Sequence, residues 1–340
     1  MSTYSRNSII AILLILISNA VSSGSLSDKM AHFYVMPLGT SGGILQDNLS
    51  AYLAKPQDAS EWVAFDAGTL CSAINNISAQ EFNKMGIKTL LEESPAKALF
   101  TRYLKAYLIS HAHLDHVSGM IICSPDDTAK QILGLDTTID YLRDNIFNGK
   151  IWVDFADEGM EPRLKKYQYQ RLKIGQSYPI ANTSLKVRAF PLSHGPHYQS
   201  TAFLLEHEAH YMLYIGDTGP DSVEKSSELE SIWQQIAPLI RQHKLHAIFI
   251  EASYPNSRPD NLLYGHLTPN WLLKELHQLA EIVDADHPQT ALKDLAIVIT
   301  HIKQGLEKQS SAPLIMEQLQ QANDLQVRFV LPQQGQLLSF

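Results

Sequence analysis

Residues 111–116 read His-Ala-His-Leu-Asp-His, which places three of the chain's 14 histidines and a carboxylate within six positions. Imidazole nitrogen and carboxylate oxygen are the ligands that Zn²⁺ and similar divalent ions accept outside thiolate sites. In a tight turn alternate side chains point the same way, so His111 and His113 can grip one ion while Asp115 and His116 swing toward a second. Two ions about 3.5 to 4 Å apart clamp both the attacking and the leaving oxygen of a displacement. Each ion needs further ligands, and His194, Asp217 and His301 are the residues placed to supply them, Asp217 being the best carboxylate for a bridge. A set of surface histidines without a role is the plainer reading, and the density of ligands counts against it.

The elements that must position these residues are legible as apolar runs of strand length alternating with helical patterns. Strands are expected over 33–38, 51–53, 62–65, 106–109, 185–190, 202–205, 211–215, 247–250, 295–299 and 327–331. Helices are expected over 222–243 and 269–283, the latter with Thr268 as N-cap and Pro269 at its first position. A third helix over 90–105 is started or broken by Pro95. The placement of polar residues matters more than the count. Asp66, His111, His194, Asp217, Glu251 and His301 each follow the end of one of these strands. In α/β architectures sites gather at the carboxyl ends of strands, so six loops are expected to converge on one face.

With 340 residues, 45% of them hydrophobic and 18% charged, the composition is that of an ordinary globular protein with a large core. Arg6 precedes an uninterrupted apolar run over 9–17, and small residues follow at 18–20 and again at 21–23. Residues 1–23 therefore read as a cleaved secretory signal and 24–340 as one domain. The run is about half of the roughly 20 apolar residues a membrane span requires, so no stable membrane insertion is expected after cleavage. Cleavage removes only Arg6 among charged groups, leaving 26 basic against 35 acidic residues, a net charge of −9. Nucleic-acid affinity comes largely from Lys and Arg, so such a partner is not expected and a small molecule is. Cys71 and Cys123 allow one disulfide in an oxidising compartment, although Cys123 sits in an apolar run and reads more simply as a buried small hydrophobe.

His-x-His-x-Asp-His after a strand resembles the hallmark of the metallo-β-lactamase superfamily, and the longer string HAHLDHVSGMIICSP resembles the signature of the class II cyclic-nucleotide phosphodiesterases. Further matches follow in order: LGTSGG and DNLSAYL, FDAGT at Asp66, PLSHG at His194, YIGDTGP at Asp217, IEASYPN with YGHLTP, and ITHIK at His301. The resemblance implies a four-layer αβ/βα sandwich holding two Zn²⁺ ions and hydrolysing 3′,5′-cyclic AMP, often cyclic GMP too, to the 5′-nucleotide. It implies one ion on His111, His113 and His194, the other on Asp115, His116 and His301, a bridge at Asp217, and Asp66 behind them orienting a ligand.

The mechanism expected from such a site is attack on phosphorus by a hydroxide between the metals, in line with the ribose 3′ oxygen. The departing alkoxide needs a proton, and His266, held by Glu251, is the donor suggested by the paired Glu and His motifs of related phosphodiesterases. His266 also competes with His301 for the last ligand place. The expected catalytic residues are thus His266 and Glu251, with Asp115 beside them at the metals. Gly39, Gly42 and Gly43 fit neither nucleotide fingerprint and suit a tight turn beside the site. Trp152 could stack on adenine or belong to the core. His197, His207, His210, His243, His246, His277 and His287 read as surface or structural residues. The competing readings are another hydrolase of the same superfamily (a β-lactamase, a lactonase or an RNA 3′-end nuclease) and a metal-binding or sensing protein without catalysis. A homodimer would be unsurprising for the superfamily.

Overall fold

The computed structural model describes residues 31–306 and 310–340. The expected signal segment, residues 1–23, lies outside the described residues. In chain order the strands are β1 Phe33–Gly39, β2 Ser41–Gly43, β3 Ala51–Pro56, β4 Trp62–Phe65, β5 Leu104–Leu108, β6 Lys130–Leu135, β7 Tyr167–Leu172 and β8 Tyr178–Pro179. They continue with β9 Lys186–Ser193, β10 Gln199–His207, β11 His210–Ile215, β12 Leu245–Glu251, β13 Ala296–Thr300, β14 Ile302–Gln304, β15 Arg328–Val330 and β16 Leu338–Ser339. One seven-stranded sheet has the order β16-β1-β3-β4-β5-β6-β7 and a second the order β15-β13-β12-β11-β10-β9-β8, while β2 and β14 pair separately.

Alternation along the strands makes the layers. Val63 and Phe65 of β4 face Phe203, Tyr214 and Phe249 of the other sheet, forming the core between the sheets. Trp62 and Ala64 point the opposite way, onto the helices Cys71–Asn76, Ala79–Met85 and Leu114–Cys123. In β12, Ala247 and Phe249 turn inward while Ile248 and Ile250 pack under the helices Glu228–Arg241 and Pro269–Val283. Both faces of each central strand are buried, which is why these strands appear in sequence as continuous apolar runs. The result is the expected four-layer αβ/βα sandwich.

The expected strands are all present, with ends shifted by a few residues at most. The helix expected over 222–243 is two, Asp221–Glu224 and Glu228–Arg241, separated by the left-handed Lys225. The helix expected over 90–105 reduces to Pro95–Ala98 and one wide turn, Leu99–Tyr103, before β5 takes over. Sequence reasoning missed β6 and β7 and several helices, among them Ala79–Met85, Leu114–Cys123 and Ala312–Gln321. Trp152 is core-packed, with its indole N–H donating to Ser124 Oγ at 3.0 Å. No helix among the described residues is long and apolar enough to cross a membrane.

The reading of Cys123 as an unpaired buried hydrophobe is corrected: Cys71 and Cys123 form a disulfide across 52 residues of sequence. It ties the helix Cys71–Asn76 to the end of the helix Leu114–Cys123, which carries Asp115 and His116. Closing a loop of 52 residues restricts the unfolded chain by about 4 kcal/mol in the loop-closure estimate. Cys71→Ser, or reduction of the native protein, is therefore expected to lower unfolding free energy in urea by up to that amount. An unchanged midpoint on reduction would mean that the bond does not staple the two helices.

Candidate metal centre

The strands β4, β5, β9, β11, β12 and β13 deliver Asp66, His111, His194, Asp217, Glu251 and His301 from their carboxyl ends, as expected. β4 and β5 run parallel, as do β11, β12 and β13, and β9 shares the direction of β11 because both oppose β10. All six loops consequently open on one edge of the sandwich. The 111–116 stretch is not a simple turn, however. His113 is the N-cap of the helix Leu114–Cys123, with Asp115 and His116 in its first turn. His111 ends the loop from β5, so a strand end and a helix start together aim three rings at one point.

Overlapping donor groups result, among them two of three residues and a buried set of Asp217, Glu251, His266 and His301. Nitrogens of His111, His113 and His194 lie within 4.8 Å of one another, as do donor atoms of Asp115, His116 and His301. His113 Nδ1 is 3.1 Å from His111 Nε2 and 3.3 Å from His194 Nε2. Asp217 stands between the groups: its Oδ2 is 3.1 Å from His301 Nε2, 3.3 Å from His116 Nε2, and 3.8 Å from both His111 Nε2 and His194 Nε2. His301 Nε2 is also 3.3 Å from Asp115 Oδ2.

The remaining nitrogens of these rings are held from behind, which fixes ring orientation and tautomer. Asp66, fully buried, is the centre of this support. Its Oδ1 accepts from the Ser110 N–H at 2.7 Å, and its Oδ2 from Ser110 Oγ at 2.8 Å, Tyr214 OH at 2.7 Å and His116 Nδ1 at 2.8 Å. With Nδ1 so engaged, Nε2 is the His116 nitrogen left to face Asp217 and a metal. It is buried without a hydrogen-bond partner, out of line with Asp217. His194 Nδ1 donates to the Gly265 carbonyl at 2.8 Å. His301 Nδ1 meets Ser253 Oγ at 3.1 Å. The orphaned, pre-aimed Nε2 of His116, set among further imidazole nitrogens and carboxylates, belongs to the donor set of a divalent cation, so the residues present fit a metal centre.

Backbone conformation is spent to achieve this convergence. Asp66 and His301 both adopt left-handed φ, 52° and 51°, a region non-glycine residues rarely enter and one that clusters at functional sites. Gly42 must lack a side chain, because a Cβ there would lie 2.1 Å from the His301 ring. Its neighbour Gly43 donates its N–H to Asp115 Oδ2 at 3.1 Å. The glycines expected in a tight turn lie instead at the end of β1 and in β2, and β2 is a seat for two of the site's donors.

Burial pushes His194 down to about 4 and holds His111 and His113 below the usual histidine range. These rings are neutral at pH 7, as ligands must be. Burial also opposes charge on His116, but Asp217 and Asp66 outweigh it and raise that ring well above its ordinary value. Burial would raise the Asp217 carboxyl, yet His116 and His301 hold it well below the carboxylate range.

His266 lies at the same edge, buried, with Nδ1 at 3.0 and 3.1 Å from the two oxygens of Glu251. Burial works against the Glu251 charge, and His266 restores it, keeping this carboxyl lowered. His266 Nδ1 is 3.9 Å from Asp217 Oδ2, more remote than His301. All ten residues expected at the site are therefore brought together. Sequence reasoning missed Ser110, Ser253, Tyr214, Gly265 and Tyr198. Tyr198 stacks on the exposed His113 ring at 4.4 Å and is stacked in turn by Tyr141 at 5.7 Å. Of these, Ser110 and Gly265 carried a signal, being adjacent to His111 and His266, and Ser253 lies in the IEASYPN stretch.

Loss of the Asp66 charge frees the His116 ring, and outer partners of this kind are worth about 10- to 100-fold in metal affinity. Asp66→Asn is expected to keep the fold by circular dichroism and to lose zinc affinity in that range in a competing-chelator titration; unchanged affinity would contradict its role. A second test uses pH. The folded chain leaves His194 unprotonated down to about 4, against an ordinary 6.5. The unfolded chain takes up that proton first, so the stability this group contributes is present above 6.5 and lost as pH falls toward 4. In urea unfolding of metal-free protein, His194→Gln should show a flatter fall in stability across that window than wild type. Parallel curves would contradict the shift.

Comparison with known proteins bears on the same residues. The sequence profile of the class II cAMP phosphodiesterases matches residues 30–335. A 3′,5′-cyclic-nucleotide phosphodiesterase of Aliivibrio fischeri is 43% identical over 324 residues, covering 93% of this chain and 95% of its own. A probable 3′,5′-cyclic-nucleotide phosphodiesterase of Yersinia pestis is 39% identical, over 91% of this chain and 90% of its own. The structure of unliganded yeast PDE1 superimposes with a TM-score of 0.79 at 24% identity, over 92% of this chain and 100% of that one. The metallo-β-lactamase fold protein YhfI of Bacillus subtilis gives 0.55 at 13% identity over 91% and 99%. The chain belongs to the class II cAMP phosphodiesterases, built on the metallo-β-lactamase fold.

Proposed function

We propose that this enzyme hydrolyses 3′,5′-cyclic AMP, with cyclic GMP as a second substrate, to the 5′-nucleotide at a centre of two zinc ions. The observation that carries the reading is the pair of three-donor groups flanking Asp217 Oδ2. Relatives named as 3′,5′-cyclic-nucleotide phosphodiesterases support the substrate class. In this reading His111, His113 and His194 would hold one ion and Asp115, His116 and His301 the other, with Asp217 available to both. When bound, the ions supply Lewis acidity at the phosphoryl oxygens and make hydroxide available at neutral pH.

The chain's own groups do the rest. Asp66, Ser110, Gly265 and Ser253 keep the donor rings from turning. His113 and Asp115 line the open side of the edge, where the cyclic phosphate enters, since the other donors are buried. As the bond from phosphorus to the 3′ oxygen breaks, that oxygen takes a proton from His266, whose Nδ1–H is anchored on Glu251 and whose Nε2 is the donating atom. Water adds to phosphorus, and the products are a 5′-phosphate and a free 3′ hydroxyl.

The reading extends to location: residues 1–23 export the chain and leave by cleavage, so it acts in the periplasm or outside the cell. The Cys71–Cys123 disulfide, suited to an oxidising compartment, supports this.

Mature protein incubated with 3′,5′-cAMP, 3′,5′-cGMP, a 2′,3′-cyclic nucleotide and nitrocefin is expected to yield 5′-AMP. That activity should vanish with chelator and return with zinc. Cleavage of nitrocefin alone would overturn the substrate while leaving the metal centre intact. His266→Ala is expected to retain both zinc ions and lose about 10²- to 10⁴-fold in kcat, the usual contribution of a general acid. Loss of an ion in that variant would make His266 a ligand instead.

A further inference from the structure

Three histidines outside the centre just described meet at the other end of the sandwich. His32 immediately precedes β1, His210 opens β11, and His246 is the second residue of β12. The first belongs to one sheet's edge of the sandwich and the other two to the opposite sheet. His210 Nδ1 is 2.8 Å from His246 Nε2, the His32 ring stacks on His210 at 3.6 Å between centroids, and His32 and His246 are 4.2 Å apart. One nitrogen from each lies within 4.8 Å of the other two, and all three residues are half-buried, open to solvent on one side. The sequence, in which His210 and His246 read as surface or structural residues, gave no sign of this convergence.

We propose that His32, His210 and His246 form a separate binding site for a borderline divalent cation, Zn²⁺ or a similar ion, with a fourth position left to water. Three imidazoles around an open position suit zinc, copper and nickel, and exclude magnesium and calcium, which require oxygen. Nitrogens sharing a tetrahedral zinc at about 2.0–2.1 Å stand roughly 3.3 Å apart, so the pair at 2.8 Å must open and the His32 ring must turn out of its stack on His210 to aim its lone pair at the ion. Burial, with the neighbouring rings, pushes His246 down to about 4 and His32 below its usual value, leaving their lone pairs available at neutral pH.

The site is independent of the catalytic one. β11 runs from His210 to the loop carrying Asp217, and β12 from His246 to Glu251, so each strand has a histidine at one end and a catalytic-centre carboxylate at the other. At about 3.3 Å per residue the two ends are separated by roughly 20 Å. An ion here joins the entry to β1 in one sheet with two central strands of the other, and so staples the sandwich at the edge away from the substrate.

The test is a zinc count by atomic emission on chelated mature protein equilibrated with micromolar free zinc, wild type beside the double variant His210→Gln, His246→Gln. The double variant is expected to bind one zinc fewer per chain and to hydrolyse cyclic nucleotide as wild type does. The difference between the two counts does not depend on how many ions the catalytic centre holds. Should the double variant fold poorly, His32→Gln, which lies before the first strand, is expected to show the same loss of one equivalent. Equal zinc in wild type and variants would overturn the site and leave a hydrogen-bonded stack of neutral rings; a missing zinc accompanied by lost hydrolysis would also overturn it, by assigning the ion to the catalytic centre.

Discussion

Five imidazole nitrogens, from His111, His116, His194, His266 and His301, stand within 3.9 Å of one carboxylate oxygen, Asp217 Oδ2. Rings crowded in this way and shielded from water have unshared pairs that must meet a cation or a proton, since an unpaired buried polar group costs roughly 1–3 kcal/mol. The surrounding structure keeps the arrangement from relaxing. Asp66 is saturated by four donors, and Gly265 and Ser253 take the outer nitrogens of His194 and His301. Two residues are held at left-handed φ, and a glycine is required under His301. The fold's large two-sided core supplies the rigidity that such strained positions need.

Much of this was legible in the sequence because of how the strands are buried. β4, β5, β12 and β13 are covered on both faces, so they appear as unbroken apolar runs, and the polar residue that ends each run marks the place where the chain leaves the core. β6 and β7 were missed for the opposite reason. β7 is an edge strand whose Tyr-Gln-Tyr-Gln pattern alternates buried and exposed positions, and β6 begins with Lys130 and Gln131. The helix from Leu114 was hidden because its first turn is occupied by Asp115 and His116, residues chosen for what they can hold rather than for helix propensity.

Apart from the Cys71–Cys123 pair, which the sequence allowed without favouring, the long-range partners could not be paired from one sequence. Tyr214 reaches Asp66 across 148 residues, His194 reaches the Gly265 carbonyl across 71, and Cys71 reaches Cys123 across 52. Tyr, Gly and Cys are common in cores and turns, and only the closing of two sheets upon each other gives these particular ones their roles. The ligand residues could be found because they are clustered or follow strands. The groups that orient them could not, because hydrogen-bond partners need only be close in space.

Membership of the class II cAMP phosphodiesterases and the geometry at the strand ends bear on one account, in which Asp217 is the shared carboxylate between two ions. Anomalous diffraction at the zinc edge from crystals of the zinc-loaded protein tests this most directly. The account requires two peaks flanking Asp217, one among His111, His113 and His194 and the other among Asp115, His116 and His301. A single peak, or a second peak held by His266 and Glu251 in place of Asp115 and His116, would contradict it.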